Sequence, residues 1–216
     1  MTSIAYVTIE AADPAAAQRF HTALGVDSHV RARASQEPTA GFRGFTLSLT
    51  VAQPSVVDAY FAAGVEAGAE ILKPAAKSFW GYGGVLRAPD GTIWKIATST
   101  KKNAGTAPRR FEDIVLLLGA GDVLASKRFY VGRGLTVGKS FGRKYVEFET
   151  PEGAGGAGPA PVKLALYGRR ALAKDAGVPE DGSGSHRLVL GADAGSFADP
   201  DGFAWEPAEV TSPAAS

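Results

Sequence analysis

Short stretches of alternating hydrophobic and polar residues recur along the chain, each bounded by a turn signal. "IAYVTIE" (4–10) is rich in β-branched and aromatic residues and predicts a strand. Asp13-Pro14 follows, an N-cap with proline at the first helical position, and predicts the helix "PAAAQRFHTAL", which Gly25 stops. Residues 27–41 are polar and irregular, with room for one short strand at most. "FRGFTLSLTV" (42–51) predicts a strand, Pro54 opens a second helix, and "EILK", "GVLR" and "TIWKIAT" predict three further strands. The last two are joined by Pro-Asp-Gly, a tight turn in which Gly91 supplies the positive φ. "STKKNAGTAPR" (99–109) is polar and reads as a linker.

The pattern then starts again. "FEDIVLLL" (111–118) predicts a strand, Asp122 starts a helix through "VLASKRFYVGR", and Gly134 ends it. Strands are expected near 136–140, 143–149 and 162–167, with "PEGAGGAGPAP" (151–161) as a mobile hairpin loop between the last two. "ALAKDAGV" (171–178) predicts a short helical or turn segment, "HRLVLG", "GSFA" and "FAWE" closing strands, and "VTSPAAS" a frayed tail.

The restart is a true repeat. "DPAAAQRFHTALGV" and "DVLASKRFYVGRGL" match at Asp13 and Asp122, Arg19 and Arg128, Phe20 and Phe129, and Gly25 and Gly134, all 109 positions apart. The turns "APDGTIWKIA" and "DPDGFAWEPA" match at Asp90 and Asp201, 111 positions apart. Chance matches in a chain rich in alanine and glycine would not place two separate motifs in register, so roughly half the chain is duplicated in tandem. The turns differ in one chemically useful place: Lys95 in the first, Glu206 in the second.

Composition narrows the chemistry. Hydrophobic residues are 45% and charged residues 21% of the 216, an ordinary globular balance. With a net charge of +1, no electrostatic footprint for nucleic acid or an anionic membrane is expected. The chain has no cysteine, which removes disulfides, thiolate metal sites and a cysteine nucleophile. No signal-peptide pattern and no apolar run of about 20 residues is present, so a cytoplasmic location is expected.

Strand, Asp-capped helix, glycine stop and a closing D-P-D-G-x-x-W-E hairpin resemble the vicinal oxygen chelate superfamily, which includes glyoxalase I, bleomycin-resistance proteins and extradiol dioxygenases. "GFRGFTLSLTV", "ILKPA", "FWGYGG" and "PDGTIWK" carry the resemblance in the first half. "FYVGRGL", "LALYGRRALAKDAGV" and "ADPDGFAWE" carry it in the second. It covers nearly the whole chain and implies an α+β fold of paired βαβββ modules. Residues 43–97 can supply one full module and 111–167 another, while the N- and C-terminal units are eroded. The expected organisation is one glyoxalase-like domain over 1–98, a linker over 99–109, a second domain over 110–208 and a flexible tail over 209–216.

In metal-dependent members the Glu of the closing hairpin binds a divalent ion, together with a His or Gln early in the first strand of a module. The resemblance places those early positions on Tyr6 and Val115, and a further ligand position near Phe45 or Thr46; none is a usual divalent-metal ligand. Lys95 replaces the terminal Glu and would repel a cation. Leu166 or Tyr167 stands where the partner module's Glu would be. Only His186 and Glu206 remain as candidate metal ligands, fewer than a closed site needs, and the simpler reading makes Glu206 a leftover acid, hydrogen-bonded or paired with an arginine.

Phe79, Trp80 and Tyr82 form a glycine-broken aromatic stretch, read either as a lid beside a cleft for flat organic ligands or as strand-edge packing. Lys95 and Tyr167 are candidate ligand-binding residues with them, and Tyr145, Glu147 and Glu149 are further candidates for a cleft face. Trp94 and Trp205 are expected in the core, His21 as a half-buried or C-terminal cap histidine at a helix end, and His29 solvated.

Three functions follow. The first is a metal-free binder of a small apolar or aromatic molecule, of the bleomycin-resistance kind, with no cofactor. The second is a lyase or dioxygenase with a divalent metal (Zn, Ni, Mn or Fe). The third is a structural or partner-binding module with filled clefts. The expected partner is a small organic molecule, with no nucleic acid or membrane, in a monomer or homodimer.

Overall fold

The structure is a computed structural model and describes residues 2–150 and 161–208; the expected hairpin loop at 151–161 falls outside them except for its last residue, and the expected tail at 209–216 wholly so. Among the described residues, fifteen strands and four helices follow the order β1 (Ile4–Ala11), α1 (Pro14–Leu24), β2 (Val30–Ala34), β3 (Thr39–Gly41), β4 (Phe45–Val51), α2 (Pro54–Glu66), β5 (Glu70–Ser78), β6 (Gly81–Arg87), β7 (Ile93–Thr98), β8 (Phe111–Ala120), α3 (Val123–Gly132), β9 (Val137–Ser140), β10 (Tyr145–Phe148), β11 (Lys163–Gly168), α4 (Arg169–Ala176), β12 (Gly182–Gly184), β13 (Leu188–Ala192), β14 (Phe197–Ala198) and β15 (Ala204–Pro207).

The caps work as their residue types require. Asp13 accepts from the Ala16 amide at the start of α1, and Asp122 accepts from Leu124 and Ala125 at the start of α3. Those two bonds hold the exposed Asp122 carboxyl below its ordinary pKa. Gly25 ends α1 in the left-handed region at φ 66°, where a side chain would be strained. Two strand assignments differ from the sequence pattern. The polar stretch 27–41 yields two strands, β2 and β3, and β5 runs on through Ser78 so that Phe79 and Trp80 form a hairpin tip. Both gains come from long-range pairing: β2 lies parallel to β1, and β3 pairs with β12 about 140 residues away in sequence.

Two sheets hold the fold, and each takes strands from both sides of residues 99–109. The eight-stranded sheet has the order β5-β6-β7-β4-β8-β11-β10-β9, which joins two complete βαβββ modules through the antiparallel pair β4–β8. The five-stranded sheet, β14-β15-β13-β1-β2, joins the N-terminal β1-α1-β2 to the C-terminal β13, β14 and β15 through the antiparallel pair β1–β13.

One large core lies on the helix-bearing sides of these sheets. Alternation along β7 turns Trp94 into it, against Phe20 of α1 at 6.0 Å between ring centroids. Trp205 of β15 has no helix of its own and packs on Tyr130 of α3 at 5.6 Å. Residues 99–105 are fastened to the start of α2: Gln53 bonds both Ala104 N–H and Gly105 C=O, and the Asn103 side chain accepts from the Ser55 amide.

Candidate functional site

The alternation that buries Trp94 and Trp205 turns Lys95 and Glu206 to the opposite, far faces of their sheets. On the eight-stranded sheet, Ser48 pairs with both Lys95 and Val115, and Val115 pairs with Lys163. Lys95, Ser48, Val115 and Lys163 therefore stand side by side across four strands. Lys163 is tied to Asp113 at 2.8 Å.

Helix α4 lies across this face. Leu172, Ala173 and Ala176 bury against Val85 and Ile93, with Leu117 and Tyr167 at the margin of the same cluster. Lys95 Nζ donates to Asp175 at 2.7 Å, and Lys73 Nζ donates to the backbone carbonyls of Lys174 and Asp175 at 2.9 and 2.6 Å. The two lysines thus hold the last turn of α4, where carbonyl oxygens lack helical partners. Magnitudes rank the contacts. Burying Leu172 is worth about 2 kcal/mol, whereas a half-exposed pair such as Lys95–Asp175 contributes about 0.2–1 kcal/mol. Apolar burial docks α4, and the ion pair sets where its end lies.

On the five-stranded sheet, Tyr6 pairs with Gly191 and Gly191 with Glu206, so the early-strand position and the terminal acid share a row. Arg33 of β2 reaches over this face and bonds two carboxylates, Glu10 at 2.8 Å and Glu206 at 3.2 Å. The bond to Glu10 first, and then that to Glu206, raises the Arg33 pKa further above its ordinary value. The Arg31 guanidinium stacks 3.5 Å from the centroid of the Tyr6 ring. That ring occupies the space above Gly191, where a Cβ would come within 2.4 Å of its carbons.

Beside the C-terminal end of α4 is a cavity of about 350 Å³. Phe42, Phe45, Ile93 and Val178 give it apolar walls, and Arg43 and Arg87 give it charge. Arg43 donates to the Asp90 carbonyl oxygen. Burial lowers the Arg43 pKa, against the opposing pull of Asp90. A wider hollow of about 680 Å³ shares residues 40–43 and runs along the β3–β12 ribbon to Arg169 and His186.

The sequence-derived candidates are dispersed. Lys95 and Tyr167 share the far face of the eight-stranded sheet with Tyr145 and Glu147. Tyr145 packs edge-on to Tyr167 and donates to Glu147 at 2.9 Å, and burial first, then Glu147, raises the Tyr145 pKa. Phe79 and Trp80 are each 82% exposed at the β5–β6 tip, and Tyr82 turns to the helix side, where its hydroxyl donates to Asp58 of α2 at 2.7 Å. These three line neither cavity described above. His186 stacks on Phe203 at 4.1 Å, and its Nδ1 and Nε2 face the carbonyl oxygens of Arg43 and Asp201 at 2.5 and 3.0 Å. Glu206 is committed to Arg33. Among the described residues no group of three or more His, Cys, Asp or Glu converges as a metal cluster would.

Two expectations are corrected. His29 is 5% exposed rather than solvated, its ring packed edge-on against Phe111 at 5.5 Å. His21 lies in the last turn of α1, as expected of a helix-end residue, but is fully buried rather than half-buried. The sequence reading missed Arg33, Asp175, Phe42 and Arg43. Arg33 sits in a polar stretch with no motif, and Asp175 meets Lys95 only because α4 folds back over the sheet.

No protein-family model and no curated protein matches the chain. Among solved structures, glyoxalase I from Zea mays superposes with a TM-score of 0.58 at 13% identity, covering 95% of this chain and 91% of that one. Two point variants of the maize enzyme align similarly, with TM-scores of 0.57 and 0.58 at 12% and 13% identity. At such identities the likeness is one of fold.

Proposed function

On the vicinal oxygen chelate fold that this chain has, we propose a binding protein that holds a small apolar or aromatic molecule without a resident metal. The observation that carries this reading is the 350 Å³ cavity beside α4, with Phe42, Phe45, Ile93 and Val178 around a guanidinium. Its volume lies at the lower end of the roughly 300–1,000 Å³ usual for small-molecule sites, and apolar walls with few polar groups are their usual make-up. The charged groups lining it are Arg43, Arg87 and Asp181, with no imidazole to activate the hydroxyls of Thr39 and Thr92, which favours holding over turnover.

The donor sets support the metal-free part. Two ammonium groups, a hydroxyl and an isopropyl group in the Lys95 row do not fit a divalent ion. On the other sheet a guanidinium already bridges Glu10 and Glu206, and both His186 nitrogens face carbonyl oxygens. The third reading, a module with filled faces, draws support from α4 on the eight-stranded sheet. Ligand binding separates it from the first.

Thermal-shift titration with phenol and benzoate tests the proposal. Val178 is half-buried at the rim, so Val178→Trp narrows the cavity without touching the main core. Saturable stabilisation of the wild type that Val178→Trp abolishes, while keeping its own Tm, is expected. Stabilisation that survives the substitution, or none from either probe, contradicts the reading.

A further inference from the structure

The opposite end of α4 has a different character. A hollow of about 640 Å³ is lined by Arg143 and Lys144 of the β9–β10 turn, by Tyr167, by Arg169 and Arg170 in the first turn of α4, and by Lys174 one turn on. Five basic side chains line it against a single acid, Glu180. In a chain whose net charge is only +1, this gathers five of the 23 lysines and arginines at one place.

The local electrostatics are mainly of one sign, with Glu180 in the lining and Asp122 near Arg143 as the opposing acids. A helix start is positive by its dipole and favours acids. The first turn of α4 has no acid, its N-cap Gly168 supplies no side-chain acceptor, and two arginines stand there. At α1 and α3 the caps are acids, Asp13 and Asp122, and α2 starts without an acid but also without a basic residue in its first turn. Arg170 meets Glu180 only at the 4.0 Å limit, with its side chain 90% exposed. Arg143, Lys144 and Lys174 have no ion-pair partner among the described residues. Arg169 is different: its guanidinium is spent on the carbonyl oxygens of Phe42 and Glu180, which fixes the near wall. The Tyr167 ring and Ala120 and Ala171 supply an apolar floor beside the charges.

We propose that this hollow is a second site, separate from the cavity at the far end of α4, and that it takes a phosphate monoester with a small organic body. The phosphate lies among Arg143, Arg170 and Lys174, where guanidinium and ammonium donors match its oxygens. The organic body lies on Tyr167. The hollow's volume accommodates a molecule of that size and exceeds the need of an inorganic ion.

Isothermal titration of the full chain with phenyl phosphate, inorganic phosphate and phenol tests this. Phenyl phosphate is expected to bind saturably and more tightly than either of the others, and to weaken as salt rises. Arg143→Ala and Lys174→Ala are each expected to weaken it roughly tenfold, the effect of one charge-assisted hydrogen bond. Lys102→Ala, which removes the same charge from an exposed residue elsewhere, is expected to leave it unchanged. These side chains are exposed, so the variants are expected to keep the wild-type Tm. Equal weakening by Lys102→Ala, or inorganic phosphate binding as tightly as phenyl phosphate, overturns the proposal. So does binding to phosphatidic acid vesicles with none to phenyl phosphate, which would make the source a lipid headgroup.

Discussion

Lys95 and Asp175 meet at 2.7 Å across the far face of the eight-stranded sheet, 80 residues apart in sequence. The resemblance puts an acidic metal ligand at the lysine's position. Here the reversed charge instead receives the end of α4. Its counterpart Glu206 kept the acid and receives Arg33. The opposite signs in the two repeats therefore have one explanation: each has an internal partner of the other sign.

Lys95→Glu would set a carboxylate against Asp175. Loss of the pair and added repulsion are expected to cost about 1 kcal/mol. Apolar contacts through Leu172 dock α4 independently, so the helix is expected to loosen rather than the chain to unfold. Hydrogen exchange would show faster amide exchange across Arg169–Ala176 and little change in β13. Unchanged exchange in α4 would contradict the role given to Lys95.

Arg33, Glu10 and Glu206 form one network, so their substitutions are expected to be non-additive. Arg33→Ala is expected to destabilise by about 1 kcal/mol, since two carboxylates lose their shared cation. Arg33→Ala in a Glu206→Gln background is expected to cost less. Urea denaturation of the four members of the cycle measures the coupling, and strict additivity would mean that the bridge contributes nothing.

His21 makes stability depend on pH. Burial lowers its pKa below 6.5, and although Asp90 stands 3.8 Å away and pulls the other way, burial is the larger effect. That distance is too long for a hydrogen bond, which agrees with a neutral ring. A histidine with a lowered folded pKa binds fewer protons folded than unfolded over the window between the two values, so stability rises with pH there. Wild-type Tm is expected to fall as pH drops below about 6.5. In His21→Phe that part of the fall should vanish; an identical pH profile would show that folding does not shift the His21 pKa.

The repeat mate of His21 is Tyr130, also fully buried, whose hydroxyl donates to Asp199 at 2.5 Å. Asp199 also accepts from the amides of Asp201 and Phe203, so it anchors the second Pro-Asp-Gly turn. Tyr130→Phe removes one donor from a buried acid and is expected to cost about 1–3 kcal/mol in urea denaturation. A loss under about 0.5 kcal/mol would mean that Asp199 finds another donor.

The parts of this molecule that local chemistry decides were legible. Asp13 and Asp122 announce helices because a short acceptor caps free amides, and Gly91, at φ 88°, announces a turn because it takes a positive φ. Alternation alone separates Trp94 from Lys95 and Trp205 from Glu206. The faces that decide function were not legible, because distant elements cover them. "ALAKDAGV" reads only as a short helical or turn segment, yet Leu172, Ala173 and Ala176 form one apolar stripe that the eight-stranded sheet takes up. His29 reads as solvated among polar neighbours, and Phe111 buries it from 82 residues away.

Internal ion pairs occupy the sheet positions where the resemblance expects a metal, and the proposed function is accordingly that of a metal-free binder. Elemental analysis of untagged protein, before and after exposure to Zn, Ni, Mn and Fe(II) and gel filtration, tests it most directly. The account predicts well under one equivalent of any ion, the same in wild type, Glu206→Gln and His186→Ala. One retained equivalent that either substitution abolishes would contradict it and place a metal between those two residues.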